Sequence, residues 1–195
     1  LPAGAGPFPV VVLVHGSGPN DADQSVGATK PFTDLAWGLA SRGVTVLRYV
    51  KRTRHSPAGV ASVKEEVLDA ARDAVDLCRK TPDLDAKRVV VVGHSQGAEL
   101  APRIAAENHG VAAIVMLAAP SRPLQDLVVD QLTYFLSLDP ANAELQKQVA
   151  EAHAFKKTLD DPALKPGDEV VFPGGKPMKG AYVLSMRGYD PSKVA

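Results

Sequence analysis

Four short apolar runs, rich in valine, alternate along the first 120 residues with segments of helical periodicity. The runs cover residues 9–15, 44–50, 88–92 and 111–117. Apolar residues recur every three or four positions between them, in residues 29–42, 62–80 and 96–108. Continuous apolar runs are typical of strands buried on both faces. Their alternation with helices predicts an α/β domain with a doubly wound, mostly parallel sheet.

The helix over residues 62–80 has a recognisable start and a clear apolar stripe. Ser62 and Glu65 form a capping-box pattern, in which two side chains bond free backbone N–H groups at a helix start. The stripe consists of Val67, Ala71, Val75 and Cys78. We expect this stripe to face the core, with Cys78 as a small buried residue.

The pattern changes after residue 120. Residues 124–138 and 144–159 are predicted to be helical, residues 161–179 irregular, and residues 182–186 a short strand or extended segment. We therefore predict one domain over residues 1–195. Its core elements lie in residues 8–120, and residues 121–186 form a helical lid or cap insertion without a core of its own.

Charge and composition exclude several function classes. The 22 basic residues balance the 22 acidic ones, which gives no general electrostatic reason to bind nucleic acid or an anionic membrane. No apolar run has membrane-spanning length. The single cysteine excludes an internal disulfide framework and a cysteine-based metal cluster. Asp21 and Asp23 alone do not make a calcium loop, so we predict no metal and no cofactor.

The most informative stretch is the strand of four valines that ends at Gly93-His94-Ser95-Gln96-Gly97 and continues into helix-forming residues. This stretch matches the G-x-S-x-G pattern of a nucleophile elbow, a sharp turn that exposes a serine between a strand and a helix. Glycine is expected on both sides of Ser95, because a Cβ atom would clash where the turn brings backbones together.

A second motif, His15-Gly16-Ser17-Gly18, follows the first predicted strand. Together with the elbow it resembles the α/β-hydrolase superfamily, in which this loop helps to form the oxyanion hole. Residues 30–32 and 47–52 are similar to bacterial carboxylesterase-type members, and residues 187–191 resemble the end of their lid. The resemblance implies an α/β-hydrolase fold that is incomplete at its C-terminal side, with the final strands absent.

The resemblance also implies a mechanism and a site. Ser95 would be the nucleophile of an acyl-enzyme on a small carboxylic ester, with the backbone N–H groups of Ser17 and Gln96 as oxyanion donors. The supporting motif residues are His15, Gly16, Gly18, Gly93, His94 and Gly97. Because the chain order in this fold is serine, acid, histidine, the acid and the histidine are expected beyond residue 195.

The histidines and acids within the chain are weak substitutes for these partners. His94 lies inside the elbow and cannot easily reach its neighbour's hydroxyl. The remaining candidates for the base are His15, His55, His109 and His153, of which His153 is the least unfavourable. Asp126, Asp130 and Asp139 are expected to be ordinary polar residues of helices and turns. Lys51, Arg52 and Arg54 are expected in a solvated loop, with binding of an acidic substrate group as the alternative.

Several alternatives remain open at this point. The chain could be a catalytically silent hydrolase fragment that acts as a binding or assembly unit, pairing as an oligomer or with a complementing C-terminal segment. Within the enzyme class, a serine peptidase, a thioesterase and an acyltransferase share these motifs. Localisation is open between the cytoplasm and a secreted bacterial enzyme, and the start at Leu1 favours export slightly.

Overall fold

A computed structural model describes residues 1–56, 60–175 and 177–194. The chain divides into two compact units. The first unit consists of Leu1–Ala119 together with Tyr189–Ala195, and the second of Pro120–Gly188.

The first unit is built on a parallel sheet. Its strands are β1 (Phe8–Val14), β2 (Thr45–Leu47), β3 (Leu84–His94) and β4 (Ala113–Leu117), in the order β2-β1-β3-β4. All three pairings are parallel, which confirms the predicted sheet. β2 is shorter than the apolar run that predicts it, and β3 begins four residues before its run.

Helical segments connect these strands. They are α1 (Pro31–Ala40), α2 (Arg52–His55), a π-helical turn (Lys64–Leu68), α3 (Asp69–Lys80), α4 (Gln96–Glu107) and a 3-10 turn (Pro191–Lys193). Tyr189, just before the last of these, donates its hydroxyl hydrogen to the Glu99 carbonyl at 2.8 Å. This bond fastens residues 189–194 to α4.

The sheet carries apolar residues on both faces. On one face Val11, Leu13 and Val92 are buried with Phe32 of α1. Val10, Val12 and Val14 alternate with these along β1 and are fully buried as well. α3 contacts β1 and β3, and α4 contacts β3 and β4. Burial on both faces therefore explains the apolar run of β1, whereas β4 departs from the expectation of full burial and exposes Val115 and Met116.

The start of the α3 region forms one of the two bonds of the predicted capping pattern, and the Glu65 carboxylate bonds the residue before Ser62 instead of Ser62 itself. The Glu65 N–H donates to Ser62 Oγ at 3.3 Å, and the Glu65 carboxylate accepts from the Ala61 N–H at 2.7 Å. The predicted stripe is confirmed, since Val67, Ala71, Val75 and Cys78 are all buried. Burial raises the pKa of the Cys78 thiol to about 11, as expected for an unreactive core cysteine.

The second unit contains two helices, a hairpin and a short helix. These are α5 (Leu124–Leu138), α6 (Ala143–Asp160), the antiparallel strands β5 (Glu169–Val171) and β6 (Pro177–Lys179), and α7 (Gly180–Leu184). The two long helices agree with prediction. The irregular segment predicted over 161–179 is wrong where the hairpin forms; Lys176 of that segment lies outside the described residues.

The prediction of a strand or extended segment at 182–186 is also wrong, because α7 covers most of it. β-propensity reflects packing on a sheet surface, and tertiary context overrides it. Here Val183 packs against a small core formed by Phe155, Leu159 and Val170. This cluster differs from the expectation that residues 121–186 have no core of their own.

Among the helices of the described ranges, none is both long enough and apolar enough to cross a membrane.

The start of α4 lies directly against the end of β1. A Cβ atom at Gly97 would be 2.4 Å from the Val14 carbonyl oxygen and 2.6 Å from that of His15. Real Cβ atoms do not approach backbone this closely, and backbone cannot swing aside as a flexible side chain can. Glycine at position 97 is therefore required for this packing.

We predict that Gly97→Ala destabilises the full chain by about 3 kcal/mol or more, since the added methyl overpacks a rigid contact. Gly38→Ala is the matched control. Gly38 lies in α1 with its nearest neighbour 3.9 Å from the added Cβ, so we expect stabilisation of about 0.5–1 kcal/mol. Urea denaturation measures both variants. Equal stability of the two variants would contradict this packing.

His15 is packed at the end of β1 as a neutral ring. It is 1% exposed and contacts the rings of Phe32 and Tyr49 at centroid distances of 5.1 and 5.0 Å. Nε2 lies 2.9 Å from the Asp21 carbonyl oxygen. A carbonyl only accepts, so Nε2 carries the proton. Burial is the main reason why the pKa of His15 is lowered from 6.5 to about 4.

This lowered pKa predicts a loss of stability in mild acid. In the unfolded chain His15 takes up a proton below about pH 6.5, whereas in the folded chain it stays neutral down to about pH 4. Stability contributed by neutral His15 is therefore present above the unfolded pKa and is lost as the pH falls through this window. Between about pH 7.5 and pH 5 we expect a loss of about 2 kcal/mol from this residue.

Urea denaturation at both pH values checks the effect, with His15→Gln as the test variant, because its amide can still donate to Asp21. The pH dependence should become shallower by that amount in His15→Gln. It should not change in His109→Gln, which alters an exposed histidine. If the stability of His15→Gln depends on pH as steeply as that of the wild type, buried neutral His15 is not the cause of the loss in acid.

Candidate active site

Ser95 occupies a strained backbone position between β3 and α4. Its φ is 53° and its ψ is −116°, a conformation that is unusual for a residue other than glycine. Its N–H donates to the Leu117 carbonyl at 2.9 Å, and its carbonyl accepts from the Glu99 N–H at 2.9 Å. β4 and α4 therefore hold the turn on both sides. Strain of this kind persists where surrounding structure enforces it, and it often marks a functional site.

Gly93 and Gly97 make this turn possible. A Cβ atom at Gly93 would be 2.2 Å from the Gly97 carbonyl oxygen. The last residues of β3 thus touch the first turn of α4, so that the chain reverses within the five-residue motif. The geometry is that of a strand–turn–helix elbow.

The loop after β1 lies beside this turn. A Cβ atom at Gly16 would be 3.2 Å from Ser95 Cβ and equally far from His94 Nδ1. Gly18, two residues later, has a φ of 90°, which favours glycine. The two sequence motifs are therefore brought together at the ends of neighbouring strands, as the resemblance implies.

Gln24 ties this loop to the elbow. Its Oε1 accepts from the Gly16 N–H at 2.9 Å, so its amide nitrogen must be the donor toward His94 Nδ1. Two consequences follow. The Gly16 N–H is already engaged, and His94 Nδ1 accepts a hydrogen bond from Gln24. Because that nitrogen is occupied, the geometry agrees with the expectation that His94 is a poor base for Ser95.

The neighbouring N–H groups are better placed to bind an anion. Ser17 is exposed, and among the described residues its N–H has no hydrogen-bond partner. Gln96 is the first residue of α4, where the helix dipole favours negative charge. Ser17 follows Gly16, which lies beside Ser95, and Gln96 follows Ser95 in the chain. Such donors can stabilise an oxyanion that forms on a carbonyl attacked by Ser95.

Asp21 and Asp23 serve the structure of the loop. Asp21 Oδ1 accepts from the N–H groups of Asp23 and Ser25, and hydrogen bonding from Ser25 is the main cause of the lowered pKa of Asp21. Asp23 pairs with Arg48 and Lys30. Within the described ranges, no group of three His, Cys, Asp or Glu side chains is arranged to hold a metal ion.

Lys51 contradicts the prediction of a solvated loop. Its side chain is only 2% exposed, and Nζ pairs with Glu66 Oε1 at 2.9 Å. Arg52 and Arg54 are exposed, as predicted, although they belong to the short helix α2. Desolvation lowers the pKa of Lys51. The error arose because a run of basic residues after a strand looks like surface.

A signal for this buried pair was present in the sequence. Glu66 lies three residues after Val63 and next to Val67, on the apolar stripe that leads into α3. A carboxylate on a buried stripe requires a partner of opposite charge. Lys51 follows a predicted strand, but the sequence alone does not show that Lys51 and Glu66 are partners.

The other histidines are exposed side chains. His55 and His109 are exposed, and His109 follows the far end of α4. His153 is an exposed residue of α6. Among the described residues of the first unit, no histidine or carboxylate side chain hydrogen-bonds Ser95 Oγ.

The three acids weighed as triad members have ordinary structural partners in the second unit. Asp126 pairs with Lys156 at 2.6 Å and Asp130 with Arg122 at 2.6 Å. Asp139 follows α5 and accepts from the Asn142 amide at 3.1 Å. These contacts agree with their expected roles in helices and turns.

Comparisons with known proteins agree on one family. The sequence model of the alpha/beta hydrolase family matches residues 11–189. Esterase EstD of Thermotoga maritima is 43% identical over 199 residues, and the match covers 100% of this chain and 45% of EstD. The chain therefore spans less than half the length of this curated relative.

Solved structures show the same fold at low sequence identity. Est1E of Butyrivibrio proteoclasticus has a TM-score of 0.61 at 17% identity, covering 99% of this chain and 65% of that one. An esterase of Pyrococcus furiosus has a TM-score of 0.55 at 20% identity, covering 93% and 57%. With a family match over most of its length, this chain belongs to the alpha/beta hydrolase family.

Proposed function

We propose that this chain carries the nucleophile and the oxyanion hole of a serine carboxylesterase. The observation that carries the proposal is Ser95 itself, held at a φ of 53° between β3 and α4 with the Gly16 loop packed beside it. A serine on such a turn between a strand and a helix is the form in which this fold presents a nucleophile.

In the proposed mechanism, Ser95 Oγ attacks the carbonyl carbon of an ester. A histidine accepts the hydroxyl proton and later protonates the leaving alcohol, and a carboxylate orients that histidine. The carbonyl oxygen becomes an oxyanion, which the N–H groups of Ser17 and Gln96 bind. Losing one such donor costs about 2.7–4 kcal/mol of transition-state stabilisation. Water then hydrolyses the acyl-enzyme and releases the acid.

The histidine and the acid are proposed to lie beyond residue 195. Two facts support this placement: the histidines and carboxylates described in the first unit do not bond Ser95 Oγ, and the chain matches 45% of EstD. Residues 121–186 are proposed to be the lid. They fall within the compact second unit, whose own small core would allow it to act as one body.

Small carboxylic esters are the proposed substrates. The relative with 43% identity is named an esterase, which favours this class over peptides, thioesters and acyl transfer. A panel of those substrates would rank the four classes directly.

A second candidate is a non-catalytic unit that pairs with another chain segment through β4. It is favoured by the position of β4 at the edge of the four-stranded sheet, with Val115 and Met116 44% and 39% exposed. Unpaired strand edges promote such association. This candidate predicts a folded protein that lacks serine-dependent turnover.

We predict that Ser95→Ala abolishes turnover of p-nitrophenyl acetate by the full protein, because the acyl-enzyme can no longer form. We expect kcat to fall by about 10⁴-fold or more. An alkyl fluorophosphonate should label wild type at Ser95 and leave the variant unlabelled. Mass spectrometry of the tryptic peptides locates the label.

Ser41→Ala is the matched control, since Ser41 is an exposed serine whose hydroxyl donates to the Gly38 carbonyl within the same helix turn. It should retain wild-type turnover and labelling. Turnover that survives Ser95→Ala would refute the proposed nucleophile, and complete inactivity of the full wild-type protein on esters would favour the non-catalytic candidate.

A further inference from the structure

Lys51 is a buried cation that joins three segments around the elbow. Its Nζ lies 2.8 Å from the Gly16 carbonyl oxygen, 2.9 Å from Glu66 Oε1 and 3.3 Å from Gln96 Oε1. An ammonium group has three hydrogens to donate, and these three acceptors use all of them. The loop after β1, the start of α4 and the π-helical turn are therefore connected through the Lys51 Nζ atom.

Glu66 balances the charge of Lys51 inside the protein. It is 3% exposed and its Oε1 also accepts from Thr53 Oγ1 at 3.1 Å. Taking two charges out of water is costly, and well-packed apolar residues often serve stability equally well. Stability alone therefore does not explain an ion pair at this position. The need to hold a polar backbone group in a fixed position does explain it.

The polar group that Lys51 holds in position is the peptide between Gly16 and Ser17. Gly16 and Ser17 are joined by a trans peptide, in which the carbonyl oxygen and the amide hydrogen point in opposite directions. The Lys51 ammonium binds the Gly16 oxygen of this plane. The Ser17 N–H, at the opposite side of the same plane, must therefore point away from Lys51. A cation on the oxygen also polarises the peptide and makes its N–H a stronger donor.

We propose that Lys51, neutralised by Glu66, is a positioning residue that sets the orientation of the Ser17 N–H as an oxyanion donor. This inference rests on the proposed function, since it assigns Ser17 to the oxyanion hole of Ser95. Lys51 also holds Gln96 by its side chain, and Gln96 supplies the second donor through its backbone. One buried ammonium thus fixes the spacing of both donors.

Asn20 is the competing explanation for how the loop is held. Its side-chain amide lies 3.0, 3.1 and 3.2 Å from the carbonyl oxygens of Gly16, Ser17 and Gly18. Three acceptors share two hydrogens of a neutral group, whereas Lys51 makes a charge-assisted bond, which is about twice as strong. Removing Lys51 should therefore disturb the Gly16–Ser17 peptide more than removing Asn20.

The kinetic test uses the double variant Lys51→Met/Glu66→Met of the full protein, which removes both charges and leaves no buried ion unpaired. We expect kcat for p-nitrophenyl acetate to fall about 10²-fold, as for loss of an oxyanion donor, with KM unchanged within about twofold. The urea midpoint should stay near that of wild type. Asn20→Ala should lower kcat less, and Lys64→Met, at an exposed lysine, should have no effect.

A second double variant tests whether a neutral hydrogen-bond donor restores part of the activity. Lys51→Gln/Glu66→Gln keeps a neutral donor on a side chain one bond shorter than lysine, so its kcat should lie between those of the methionine pair and wild type. A purely structural role would make kcat follow the urea midpoint in both pairs. Wild-type kcat in a folded methionine pair, or an equal loss in Asn20→Ala, would overturn the inference.

A measurement without turnover separates this inference from the proposed function. In ¹⁵N relaxation, the Ser17 amide of wild type should have an order parameter of about 0.85, as rigid backbone does, and a value below about 0.6 in the methionine pair, with the glutamine pair between the two. Absence of Ser95-dependent turnover in wild type would defeat the proposed function alone. An unchanged Ser17 amide in both double variants would defeat the role of Lys51, whatever the activity.

Discussion

The structure depends on a close approach of backbone segments at the elbow. Gly93 meets Gly97 where an added Cβ would be 2.2 Å from a carbonyl oxygen, and Gly97 meets the end of β1 at 2.4 Å. Because side chains are absent at these points, β3 can turn sharply into α4 while α4 packs on the neighbouring strand. Ser95 is left at the apex with a positive φ. The location of the site is thus a consequence of packing that only glycine allows.

Much of this arrangement can be predicted from the sequence. The parts that depend on contacts between distant residues cannot. Valine runs identify strands buried on both faces, and the elbow glycines identify the turn, because both signals are local. α7 was missed because Val183 packs into a small core that strand propensity does not reveal. Lys51 was missed because its burial depends on Glu66, fifteen residues away, and on a Gly16 carbonyl that only the folded chain brings near.

The loop after β1 is held by several hydrogen bonds to other segments. The Gly16 N–H is bound by Gln24, its carbonyl by Lys51 and Asn20, and His15 holds the Asp21 carbonyl. These bonds hold the Gly16–Ser17 peptide with its N–H pointing away from Lys51, and this N–H has no hydrogen-bond partner among the described residues. Donors fixed in this way need no reorganisation when charge develops, which is the main source of catalytic power in oxyanion holes.

The central claim is that Ser95 is the nucleophile and that Ser17 and Gln96 form its oxyanion hole. A crystal structure of the full protein after reaction with an alkyl fluorophosphonate tests it most directly, because the phosphonyl oxygen stands in for the oxyanion. We expect a covalent bond from Ser95 Oγ to phosphorus, with that oxygen about 2.7–3.1 Å from the Ser17 and Gln96 nitrogens. A phosphonate on another residue, or an oxygen bound by other donors, would contradict it.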